Sequence, residues 1–141
     1  MTTRARHSDA AAGLLQLTGG LLMMTVAIML IAPGFFHRSW AGFGTLNTHF
    51  IRDAATFAAA LGVALWMSAS RPGWRKPVLA LALVQNGLHI VNHIADVASA
   101  EPGWQGPANL ALLAVFQMVL WWVWRLDGRL RSDTSALKVS V

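Results

Sequence analysis

Two short runs carry the side chains able to do chemistry. One is Asn47-Thr48-His49-Phe50-Ile51-Arg52-Asp53, followed by Thr56. The other is Gln85-Asn86 with His89, Asn92, His93 and Asp96. His89 and His93 stand four apart, so on a helix they present two imidazoles to one metal. Asp53 or His49 would complete a two-histidine-one-carboxylate or three-histidine set. His49, Asp53, His89 and His93 are therefore the candidate metal ligands, and zinc, copper, iron or nickel would suit them. Arg52, Gln85, Asn86, Asn92 and Asp96 are the candidate ligand-binding residues. Arg52 could clamp an anionic group such as a lipid phosphate or a carboxylate. The same residues also read as an interhelical hydrogen-bond network, with Asp53 neutralised by Arg52 or a histidine, each contact contributing about 0.6 kcal/mol. No catalytic residue can be named from the sequence, and whether the chain is an enzyme stays open.

Haem fits less well than a single transition metal. Bis-histidine ligation needs imidazoles on opposite faces of the macrocycle, normally from different helices. His89 and His93 cannot do that as a pair; His49 or His37 with one of them could. A membrane di-iron centre needs more histidine and carboxylate ligands than the chain provides. The chain has no cysteine, which removes disulfides, thiolate ligation and covalent haem attachment. No nucleophile elbow, phosphate loop, dinucleotide fingerprint or HExxH motif occurs.

These residues sit in a chain built for lipid. Of its 141 residues 55% are hydrophobic and only 12% charged, about half the charge of an ordinary soluble domain. The apolar residues form four blocks, each near the roughly 20 residues that cross hydrocarbon as a helix. The predicted helices run over about 13–32, 49–69, 77–98 and 107–126. Pro77 and Pro107 suit helix starts, while Pro33-Gly34, Pro72-Gly73 and Gly128 suit ends. The first block is too long for the apolar core of a signal peptide, and no small-x-small site follows it, so it reads as a retained helix. The fold expected is an all-α, four-transmembrane-helix, up-down-up-down bundle. Residues 1–131 form the single membrane domain, and 132–141 a short disordered cytoplasmic tail.

Charge orients the bundle. Every Lys and Arg except Arg38 and Arg52 falls in the N-terminal tail, the segment around 71–76, or the C-terminal tail. Both termini are therefore expected in the cytoplasm, in a multi-pass protein of the plasma (inner) membrane. The net charge of +5 is spread along the membrane flanks and forms no nucleic-acid face. Trp66, Trp74, Trp121, Trp122 and Trp124 fall at the inner interface, and Trp40 and Trp104 at the outer one, as indole prefers. Gly13, Gly19 and Gly20 suit close packing, and Asn109 and Gln117 suit a role as helix glue.

On this topology both polar runs lie in the outer half of the bilayer. At about 100° per residue, Gln85, His89, Asn92, His93 and Asp96 share an arc of about 100°, and His49, Arg52, Asp53 and Thr56 share a face of the second helix. The two sets are expected to face one another. Intramembrane ionisable groups are costly, so such a convergence is a functional hypothesis by default.

The run His49-Phe50-Ile51-Arg52-Asp53, with His89-x-x-x-His93 on four short helices, resembles small four-helix membrane proteins of actinobacterial type whose activity is unassigned. The overall plan is loosely DoxX-like. That resemblance implies four helices and quinone-dependent sulfur oxidation through partner subunits, but no motif here carries the activity over. Three functions are thus open: a binding or structural protein using the polar cluster, a metal- or haem-dependent redox enzyme or subunit, and a carrier of lipid, quinone or another small molecule. The expected partners are membrane lipid and either a second copy or a larger membrane complex.

Overall fold

The computed structural model describes the backbone of residues 3–139 and the side chains of residues 9–128. The described residues form five helices, α1 (Thr3–Ile31), α2 (Pro33–Trp40), α3 (Thr48–Ala69), α4 (Pro72–Asp96) and α5 (Gln105–Val139), with a 3₁₀ turn at Val97–Ser99. Four stretches are long and apolar enough to cross a membrane: Asp9–Ile31, Thr48–Ala69, Pro72–Ser99 and Gln105–Gly128. The protein is a small integral membrane protein with an all-α four-helix bundle. Ile31, Phe57, Leu81, Val91, Leu112 and Met118 are all exposed, a surface that only lipid or another apolar partner can cover. The end that carries residues 32–47 and 97–104 is termed outer, after the charge bias.

The segment 33–48, expected as a plain outer loop, contains α2. Ala32 leaves helical geometry (φ −132°, ψ 58°) and Pro33 occupies the first turn of the new helix, where its missing N–H costs nothing. Trp40 meets Phe35 edge-on at 5.7 Å.

The third spanning helix begins at Pro72, not at the expected Pro77, which lies inside it. Pro72 takes the first turn. The carbonyl that Pro77 cannot serve is that of Gly73, still close to the helix start, where a lost bond and the ring's bulk are best tolerated. Gly128 does not end α5, whose backbone stays helical to Val139. Most of the segment read as a disordered tail, 132–141, therefore has helical backbone; its side chains lie outside the described residues.

The apolar core is divided. The inner cluster joins all four spans through Ala11 and Leu15 of α1, Leu65 and Ala69 of α3, Val78, Leu79 and Ala82 of α4, and Leu120, Val123 and Leu126 of α5. The outer cluster holds only α1 and α3: Val26 and Met29 against Ile51 and Ala55, with Phe36 of α2 beside them. Outward of Leu83 and Phe116, neither α4 nor α5 contributes to either cluster. Helices α1 and α3 touch at Gly19, where an added Cβ would lie 2.8 Å from both the Gly62 carbonyl oxygen and the Trp66 nitrogen.

Polar contacts replace apolar ones elsewhere. Asn86 of α4 donates from Nδ2 to the Leu113 carbonyl at 3.1 Å and to Gln117 Oε1 at 2.8 Å, and Gln117 Nε2 donates back to the Leu83 carbonyl at 3.3 Å. At the outer end Gln105 accepts from the Gly42 N–H at 3.0 Å and donates to the Arg38 carbonyl at 2.7 Å. Asn109 Nδ2 donates to the Trp40 carbonyl at 2.6 Å. The Glu101 N–H donates to the Gly42 carbonyl at 2.7 Å. These bonds clasp α2 and the loop after it to the start of α5.

Candidate functional site

On α4 the polar residues continue the core stripe. His89 lies seven residues beyond Ala82, and His93 seven beyond Asn86, two turns in each case, so the stripe that is packed at Val78, Leu79 and Ala82 runs on through them. Yet His89 is exposed and His93 only half-buried. The cause is the divided core: neither buried apolar cluster extends along this face of α4 to the height of His89.

The two imidazoles stand together, ring centroids 4.7 Å apart and planes at 75°. Phe43, from the loop between α2 and α3, meets His93 edge-on at 5.0 Å. That loop is held by the outer clasp, through the pairing of Phe43 with Ala100. His93 Nδ1 is buried and has no hydrogen-bond partner, an unfavourable state in an apolar setting. Gln85, Asn92 and Asp96 are exposed along the same side of α4.

The α3 set is placed differently. His49 Nε2 lies 3.3 Å from Asp53 Oδ2, one turn apart, with side chains 87% and 58% exposed. Arg52 and Thr56 are exposed too, Thr56 donating to the Asp53 carbonyl at 2.7 Å. The core face of α3 is Ile51, Ala55, Gly62 and Leu65. At about 100° per residue the polar stripe is centred roughly opposite that face. The expected convergence of the two stripes therefore does not occur. His49 pairs with Asp53 and His89 with His93, as two separate pairs. Among the described residues no group of three His, Asp or Glu side chains could hold a metal ion together.

Asn86, a candidate ligand-binding residue, is buried and commits its amide to α5. It is helix glue with Gln117, the role expected of Gln117 itself. Asn86→Ala should lower stability in detergent by roughly 1 kcal/mol, within the range of intramembrane polar contacts, while Asn92→Ala on the exposed side should change it by less than about 0.5 kcal/mol. Equal losses from both in a detergent unfolding titration would contradict this division.

Three residues were not recognisable as site or framework residues from composition. Phe43 reaches His93 only through the fold of the outer loop. Gln105, at the start of α5, is buried and holds that loop. Asp127 is buried beside Arg75, its Oδ1 3.9 Å from Nη1. Its signal was present: Asp127 lies seven residues beyond Leu120 and four beyond Val123, on the core face of α5. Comparison with protein-family models, with curated proteins and with solved structures finds no match for this chain.

Proposed function

We propose that this is a multi-pass protein of the plasma membrane, termini in the cytoplasm, that binds an amphipathic small molecule against the outer half of α4. The ligand has a hydrogen-bonding carbonyl or hydroxyl head and a hydrocarbon body, a chemistry shared by quinones and neutral lipids. The observation that carries this reading is the unpartnered, buried Nδ1 of His93, beside His89, which is exposed on the same stripe. A ligand head that displaced the side chains now covering it would supply the missing hydrogen bond. Its body would lie in the surrounding lipid beside α4. His89 and Gln85 would offer further polar contacts, and Phe43 would cap the head from the outer side.

A second reading has its own support. Two imidazoles with centroids 4.7 Å apart suit a transition metal completed by solvent or by a partner's ligand, which would make the chain a redox subunit.

The test uses detergent-purified protein and a short-chain benzoquinone as probe, read by quenching of tryptophan fluorescence. Saturable binding should weaken about tenfold in His89→Ala/His93→Ala, the loss of one or two hydrogen bonds. Elemental analysis of the same samples addresses the second reading: stoichiometric metal, lost in the double variant, would replace the first. Absence of saturable binding, with no lipid or quinone found by mass spectrometry in organic extracts, would sink the ligand proposal.

A further inference from the structure

The α3 stripe has no role in that site, and its position needs an explanation. Arg52 and Asp53 are exposed on a helix that spans the membrane, on the side away from the bundle core. With a rise of about 1.5 Å per residue they lie roughly 6–7 Å from the outer start of α3. Arginine is long enough to reach the interface from there; aspartate is not. His49 meets only one carboxylate oxygen of Asp53. Arg52 makes no hydrogen bond or ion pair among the described residues.

We propose that this face of α3 is the contact surface for a second copy of the chain, in a two-fold symmetric parallel dimer. The stripe is self-complementary. Taking the line through His49, Thr56, Ala60 and Met67 as the contact line, Arg52 flanks it on one side and Asp53 on the other, each by about 50°. When two parallel helices meet across a two-fold axis, the left flank of one lies beside the right flank of the other. Arg52 of each copy therefore meets Asp53 of its mate, and both pairs form at once, as isologous symmetry requires. Two like-signed flanks would repel in this arrangement, so the placement of one cation and one anion selects it. Below the charges the same line carries Thr56 and Ala60, four apart, both exposed, small enough for the two backbones to approach closely. Dimerisation removes Arg52 and Asp53 from lipid and leaves the outer half of α4 free on each copy.

The absence of native cysteine makes the test clean. Ala60→Cys, and as control Leu81→Cys on the exposed side of α4, are oxidised in native membranes and resolved by mass. Ala60→Cys should give a covalent dimer of twice the chain mass, and Leu81→Cys should give little. In the Ala60→Cys background, Arg52→Asp or Asp53→Arg should lower dimer yield roughly tenfold, as expected when interhelical polar contacts are lost together. The exchange Arg52→Asp/Asp53→Arg should restore it. Circular dichroism checks that each variant remains helical; a variant that unfolds is replaced by the neutral pair Arg52→Gln and Asp53→Asn, with the same expectation of reduced yield. Equal cross-linking at positions 60 and 81, no cross-link at 60, an adduct with a different protein, or an exchange that fails to restore yield would each overturn the proposal.

Discussion

Replacing Arg75 by alanine should destabilise the bundle by about 3–5 kcal/mol, the cost of breaking a buried ion pair from one side. Arg75 is 3% exposed. Its Nη2 donates to the Ala69 carbonyl at 2.7 Å and its Nε to the Ser68 carbonyl at 3.3 Å, which also accepts from the Arg71 N–H at 3.2 Å; both carbonyls lie in the last turn of α3, where the dipole favours a cation. Its Nη1 stands 3.9 Å from Asp127 Oδ1 on α5. One side chain thus fastens three helices beneath the inner core cluster. The variant removes the cation beside a buried carboxylate and strips the Ala69 carbonyl of its donor. Arg75→Met/Asp127→Leu should recover most of the loss, because burying both charges carries its own desolvation cost. Unfolding followed by circular dichroism in mixed micelles, with increasing mole fraction of a denaturing detergent, measures both. An alanine variant within about 1 kcal/mol of the parent would show that Arg75 is in effect a solvated cation.

That pair illustrates what the sequence conceals. Arg75 reads from the sequence as an inside charge, but charge bias says nothing about whether a cation points to water or into the bundle. The spans themselves were legible because length and hydropathy are imposed by bilayer thickness. Helix rotation was not. In a soluble helix the apolar face is the buried face; in lipid both faces are apolar, and the pattern no longer says which is inside. The α4 stripe could be placed because it continues from the packed residues Val78 and Ala82. Polarity, with the small Ala60 below it, points the α3 stripe inward, whereas the informative small residues are Ala55 and Gly62, which mark the side α1 approaches. The boundary at Pro72 was missed for a related reason. Two prolines five apart offer two starts, and only the packing of Arg75 against the end of α3 favours the earlier one.

The approach of α1 to α3 yields the second large effect. Gly19→Ala should cost on the order of 1–3 kcal/mol, and Gly19→Leu more, as overpacking of a rigid contact. The new Cβ would meet the Gly62 carbonyl oxygen and the Trp66 nitrogen, each at 2.8 Å. Both are backbone atoms of a helix, so neither can swing aside, and relief requires the two helices to separate. Separation would open the outer cluster of Val26, Met29, Ile51 and Ala55, which has no other apolar support from α4 or α5. Gly62→Ala meets first the Met23 side chain at 3.0 Å, and methionine has rotamers to spare, so its cost should be smaller. Gly13 has nothing within 4 Å, and Gly13→Ala should be neutral or stabilising by up to about 1 kcal/mol, from helix propensity. The order Gly19, Gly62, Gly13 in the same micelle titration is the expected result. A Gly19→Ala variant no less stable than Gly13→Ala would mean that α1 and α3 are not held at backbone contact, and the support of the outer cluster would have to lie elsewhere.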